Sequence, residues 1–155
     1  MSKEYVLVYA KNIINTDKVL LVLKDRPEEL KGRLNLVGGK IELHESPEQA
    51  AEREFIEETG MFPHSQPQLL GKIIGDDYII YCLSTSVNPS PIEPRVGETE
   101  LVDWYYWNTV KYDSRLMPNL RLVIPLLHME VENWEIKDVA FADNMVDVSF
   151  SIQIQ

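Results

Sequence analysis

The chain has 155 residues, 45% of them hydrophobic and 26% charged, with a net charge of −10. That length fits one domain able to bury roughly 70% of its unfolded surface without a disulfide or metal staple, and the composition is that of an ordinary soluble globular protein. The negative charge excludes a basic face for nucleic acid, no apolar run approaches the ~20 residues of a membrane span, and the lone cysteine, Cys82, excludes an internal disulfide.

Residues Met1 to Ala10 carry charge early and run straight into a strand pattern, so no secretion signal is expected. Cys82, between Tyr81 and Leu83, is expected to be a buried strand thiol, and a reducing, cytoplasmic setting follows. Glu4 to Ala10 and Val19 to Leu23 are two strand-like runs around the turn signal Asn15-Thr16-Asp17, which predicts a hairpin. Leu34 to Val37 is a short strand ending at Gly38-Gly39. A helix is predicted from Ser46, with serine as N-cap, Pro47 at the first helical position and Gln49 closing a capping box. It runs to Thr59 and stops at Gly60, with Ala51, Phe55 and Ile56 as its apolar side.

Leu69 to Ile74 and Tyr78 to Val87 read as strands. Pro89, Pro91 and Pro94 make Asn88 to Gly97 an irregular loop. Leu101 to Trp107 is a further strand carrying the aromatic block Trp104-Tyr105-Tyr106-Trp107, read as strand packing or as a stacking surface for a base. A second helix spans about Pro118 to Glu130, with Leu120, Val123, Ile124 and Leu127 at helical spacing. Trp134 to Ala140 and Val146 to Ile154 form a closing hairpin. Strands on both sides of one central helix predict a mixed α/β sandwich.

The chemistry lies in Gly39-Lys-Ile-Glu-Leu-His-Glu45 and, seven residues on, Arg53-Glu54-Phe55-Ile56-Glu57-Glu58-Thr59-Gly60-Met61. Glu54, Glu57 and Glu58 stand at i, i+3 and i+4, one arc of roughly 100° on a helix. Like charges so placed weaken a helix unless something compensates them. A solvated acidic face is the plain alternative; carboxylates converging with Glu45 suit a hard divalent cation such as magnesium, which shares its shell with substrate phosphates. Arg53, four residues before Glu57, can pair with a carboxylate and fix it. Gly38 and Gly39 permit a tight bend where a carbonyl can face metal and phosphates can approach.

The full spacing resembles the Nudix box, G-x5-E-x7-R-E-U-x-E-E-x-G-U with U a bulky aliphatic residue. Gly39, Glu45, Arg53, Glu54, Glu57, Glu58 and Gly60 match every fixed position across 23 residues, Gly39 to Met61. Phe55 and Met61 replace the usual aliphatics, and Val37 stands where many members carry proline. The resemblance implies an α/β/α sandwich with a mixed sheet and hydrolysis at phosphorus in nucleoside diphosphates linked to a further group X. It also implies metal ions, Mg2+ or Mn2+, held by Glu54, Glu57, Glu58 and a glycine carbonyl at Gly38 or Gly39.

The catalytic set is then Glu54, Glu57 and Arg53; the proton acceptor is Glu57 or Glu54 within the box, with Glu98 or Glu100, just after the proline-rich segment, as the candidates outside it. Arg26, Arg33, Gly38 and Tyr78 are the substrate-binding candidates; Tyr78, 17 residues beyond Met61, resembles a mark of dinucleoside polyphosphate hydrolases. Plain surface charge is the alternative for the arginines, and sheet packing for the tyrosine. His44 is expected at the surface, and His64 and His128 as structural residues. A nucleoside triphosphate pyrophosphohydrolase of the sanitising kind is the alternative enzyme. A non-catalytic nucleotide-binding regulator on the same fold is the alternative class, disfavoured because all box glutamates are retained. A homodimer is a further expectation from the resemblance.

Overall fold

The computed structural model describes residues 2–138 and 148–152. Its elements are β1 (Lys3–Asn12), β2 (Lys18–Leu23), β3 (Leu34–Asn35), β4 (Val37–Lys40), α1 (Pro47–Thr59), β5 (Gln68–Ile74), β6 (Tyr78–Val87), β7 (Leu101–Tyr106), α2 (Trp107–Val110), α3 (Leu120–His128), β8 (Trp134–Asp138) and β9 (Val148–Ile152). A six-stranded mixed sheet has the order β4-β1-β6-β5-β8-β9, and a three-stranded sheet the order β3-β2-β7. No helix among the described residues is long and apolar enough to cross a membrane.

The predicted hairpin of the first two strands does not form. β1 lies parallel to β6 over ten residue pairs, Lys3↔Tyr78 to Asn12↔Val87, and antiparallel to β4 on its other side. β2 instead pairs with β3 and β7 in the second sheet. The turn itself is real: the Asn12 side chain accepts hydrogen bonds from the amides of Ile14 and Asn15 (3.0 and 2.9 Å), and it redirects the chain from one sheet to the other. Val6 to Ala10 are buried without a break. Such an uninterrupted apolar run belongs to a central strand covered on both faces, whereas a strand with one wet face alternates.

Side chains alternate across a strand, and the two cores follow from that. Leu7 and Tyr9 of β1 and Val19 and Leu21 of β2 pack with Leu120, Val123, Ile124 and Leu127 of α3. Val6, Val8, Leu20 and Val22 pack with Ala50, Ala51 and Phe55 of α1. The strand layer is therefore sandwiched between α1 and α3, as the sequence predicts. The closing hairpin is present as antiparallel β8 and β9; residues 139–147 lie outside the described ones.

Helix α1 starts and stops where the sequence places it. Gln49 N–H donates to Ser46 Oγ (3.1 Å), and Ser46 N–H donates to Gln49 Oε1 (2.9 Å). Gly60 ends it at φ 72°, the left-handed region that glycine adopts without penalty. A β-carbon on Gly60 would also lie 2.1 Å from the Glu93 carbonyl oxygen, so the proline-rich loop presses directly on the helix end. Leu34 to Gly39, expected as one strand and a glycine bend, splits into β3 and β4, and the glycines lie within β4. Gly39 stands opposite Val6, and Gly38 opposite Leu7.

Candidate active site

Glu54, Glu57 and Glu58 sit in the second half of α1, and Glu54 lies against Gly39 of β4. Close approach is possible because Gly39 has no side chain: a β-carbon there would lie 2.4 Å from Glu54 Cδ. Arg53 ties the acidic groups together. Its Nε and Nη2 donate to the two Glu45 carboxylate oxygens (2.7 and 2.8 Å), a bidentate pair. Nη1 donates to Glu54 Oε1 (2.9 Å) and at longer range to Glu57 Oε2 (3.5 Å), and Nη2 reaches the Lys40 carbonyl (3.1 Å). This guanidinium holds the Glu45 carboxyl below the usual carboxylate range.

A second wall comes from residues distant in sequence. The loop 88–97 is docked on the end of α1 by two main-chain bonds, Glu93 N–H to Thr59 O and Arg95 N–H to Glu57 O, both 2.8 Å. Arg95 Nη1 donates to Glu57 Oε1 (2.8 Å) and Nη2 to Glu98 Oε1 (3.3 Å). Lys24, at the end of β2, donates from Nζ to Glu100 Oε1 (2.9 Å), while the Asp25 amide donates to Glu100 Oε2 (2.8 Å). Burial pushes the Glu58 carboxyl up to about 9, reinforced by the charges of Glu54, Glu98 and Glu100 and opposed by Lys24. Glu54 is likewise raised, by burial first; Arg53 opposes this, and the charge of Glu57 adds a smaller rise.

These groups fit a hard divalent cation. The donor set is all oxygen, Gly39 leaves room beside Glu54, and the half-buried Glu58 is surrounded by like charge that a cation would relieve. Among the described residues no group of three or more His, Cys, Asp or Glu side chains is arranged to hold a metal ion. Guanidinium groups contact the oxygens of Glu45, Glu54 and Glu57.

Beside the carboxylates lies a cavity of about 420 Å³ with Gly38 and Gly39 in its wall. Leu36, Ile80 and Met117 supply apolar lining; Asn35, Asn119 and Tyr78 supply polar groups. The Tyr78 hydroxyl donates to Asp138, and burial followed by that contact pushes its pKa up. Tyr78 is thus a wall residue of this cavity.

Arg26 and Arg33 do not line it. Arg26 is exposed, and Arg33 Nη1 donates to the Ser114 carbonyl (3.3 Å). None of Trp104 to Trp107 lines it either: Trp104 packs on the α1-side core, while Tyr105 and Trp107 pack on the α3-side core. Trp107 and His128 instead border a separate cavity of about 210 Å³ whose lining residues are all different. Tyr9 and His128 are hydrogen-bonded there, hydroxyl to Nδ1 (2.6 Å). His44 and His64 are exposed, and Cys82 is buried with its thiol pKa pushed up by burial.

Sequence reasoning missed Arg95, Lys24, Asn35, Asn119 and Asp138. Arg95 left one signal, as the lone cation of an otherwise neutral or acidic loop from Asn88 to Glu98. Asn119 read only as part of a helix start.

Comparison with known proteins supports the same assignment. The family model for the NUDIX domain matches residues 6–127. No curated protein matches the sequence. Among solved structures, a MutT protein from Bacillus halodurans superposes with a TM-score of 0.73 at 18% identity, over 96% of this chain and 97% of that one. A NUDIX-family hydrolase from Clostridium perfringens gives 0.64 at 22% identity, over 83% and 98%. The NUDIX domain of NrtR from Shewanella oneidensis, solved with ADP ribose, gives 0.68 at 20% identity, over 80% and 85%. With its model matched from β1 to α3, the shared fold, and every fixed residue of the box on α1 and its approach, this chain belongs to the NUDIX domain family.

Proposed function

We propose that this Nudix pyrophosphohydrolase uses magnesium to cleave a pyrophosphate bond in a nucleoside diphosphate linked to a further group. The supporting observation is the adjacency of two unlike compartments at Gly38 and Gly39. On one side Glu54 lies against Gly39 with Glu57 and Glu58 beside it. On the other is the 420 Å³ cavity, mostly apolar with a few polar groups, the usual character of a small-molecule site. A nucleoside seated in the cavity sends its phosphates past the two glycines toward the carboxylates.

Glu54, Glu57, Glu58 and the Gly39 carbonyl would hold the cation, which supplies Lewis acidity and positive charge toward the diphosphate. Arg53 is a positioning residue: its contacts hold Glu45 and Glu54 in place. Glu98 is the better proton acceptor of the outside pair. It is held only by the mostly exposed Arg95, whereas Glu100 is committed to Lys24 and the Asp25 amide. With Glu98 taking a proton from water, the water oxygen bonds to phosphorus in line as the bridging P–O bond breaks, and the leaving phosphate carries that oxygen away.

One observation favours the triphosphate alternative. The aromatic block lines no part of the cavity, and the proline-rich loop walls the carboxylates, so the platform expected for a second group is absent from this cavity. Turnover of ADP-ribose, diadenosine triphosphate and dGTP, with both products identified, decides between them. Substrates with a blocked terminal phosphate are expected to be cleaved at least as well as dGTP; a preference for dGTP of about a hundredfold in kcat/KM reverses the reading. Glu57→Gln is expected to lower kcat by several orders of magnitude, and retention of more than about a tenth sinks its role as ligand.

A further inference from the structure

Of the three basic residues that pair with the site's carboxylates, Arg53, Lys24 and Arg95, Arg95 has the loosest hold. Its side chain is 59% exposed, while its partners Glu57 and Glu98 are 22% and 14% exposed. Arg53, at 23% exposed, is fixed by Glu45, Glu54 and the Lys40 carbonyl, and Lys24 is held by Glu100. With its guanidinium mostly in solvent, Arg95 gains little from these two pairs. The Arg95 main chain, by contrast, is anchored at the site by its N–H bond to the Glu57 carbonyl, and Glu93 is anchored two residues earlier. The side chain can therefore leave its carboxylates without leaving the site.

The acidic surplus adds the second half of the argument. Glu54, Glu57, Glu58, Glu98 and Glu100 crowd one place. A substrate diphosphate must approach that crowd, and the cavity beside it, though largely apolar, has the ammonium groups of Lys24 and Lys40 as its basic members and no guanidinium. A guanidinium fork matches phosphate oxygens in a bidentate way that a carboxylate-bound lysine does not.

We infer that Arg95 is a resident counter-ion: it neutralises Glu57 and Glu98 before a cation binds, yields Glu57 to the divalent cation while freeing Glu98 as proton acceptor, and then turns its guanidinium onto a phosphate of the substrate. This rests on the reading of Glu57 as a metal ligand. Arg95 then competes with metal and assists substrate, two effects of opposite sign from one side chain. A merely structural arginine would weaken both together when removed.

The full-length chain carrying Arg95→Gln tests this. Binding of Mn2+ alone, measured by calorimetry without nucleotide, should tighten by about three- to tenfold, because the competitor has gone. In the same variant KM for the best nucleotide substrate should rise about tenfold or more at saturating metal, with kcat changed less. Arg95→Lys keeps the charge, so its Mn2+ affinity should stay near wild type, with part of the KM restored. Unchanged or weaker Mn2+ binding in Arg95→Gln overturns the counter-ion role, and an unchanged KM overturns the phosphate role. Glu57→Gln is the control: if it leaves Mn2+ affinity unaltered, the ligand reading has failed; if it weakens binding while Arg95→Gln tightens nothing, only the counter-ion proposal has.

Discussion

Gly39 shows how one missing side chain sets the site. A β-carbon would stand 2.4 Å from the Glu54 carboxyl carbon, far inside contact distance, and the obstructing atoms are the ones the chemistry needs. Gly39→Ala is expected to fold, because the carboxylate can swing aside. It should lower kcat by about a hundredfold, since small displacements of a positioned group are costly; an alanine variant with wild-type kcat sinks this account. His128 gives a residue-scale pH effect. Its pKa is lowered, first by burial and then by Lys11, against Asp17 and Glu130. The folded form therefore binds its proton less readily than the unfolded one. The stability this confers is present above the ordinary histidine value near 6.5 and is lost as pH falls through the folded value. Denaturant midpoints of wild type and His128→Gln should differ more at pH 7.5 than at pH 5, and a pH-independent difference rules it out. The glutamates were legible because fixed offsets on one helix bring them together. Arg95 and Lys24 were not, because they meet their partners across 38 and 76 residues of chain, through tertiary contact alone.

At the scale of elements, α1 was legible to the residue because its signals are local. Cap, first-turn proline and terminal glycine each act through neighbours within four positions. Ser46→Ala removes the bond to the Gln49 amide and should cost about 1 kcal/mol, a fall in Tm of roughly 2–4 °C, with kcat unaltered because the glutamates sit in the other half of the helix. A fall in kcat matching the loss of an acidic ligand contradicts that separation. The first two strands show the opposite case. Their existence was readable, their partners were not, because a strand's hydrophobic pattern reports which faces are covered and not which strand lies alongside. The unbroken buried run Val6 to Ala10 was the available clue to a central strand.

For the molecule as a whole, the acidic cluster makes stability depend on metal. The carboxylates are brought together only by folding, so a cation bound to them favours the folded state by mass action. At about a hundredfold excess over Kd this amounts to ~2.7 kcal/mol, a rise in Tm of roughly 5–10 °C. Thermal melts with and without millimolar magnesium measure it, and an unchanged Tm joined to silent calorimetry favours a plain solvated acidic face.

The pairing of β1 with β6 has a consequence for synthesis. The first strand ends at Asn12, and its parallel partner is complete only at Val87. With elongation at about 5–20 residues per second, the intervening 75 residues take roughly 4–15 s to emerge. β2 waits longer still, for β7 at 101–106. During that interval the apolar run Val6 to Ala10 has no finished sheet to enter. The nascent chain is therefore expected to be open to holding chaperones and to aggregation while that partner strand is unfinished.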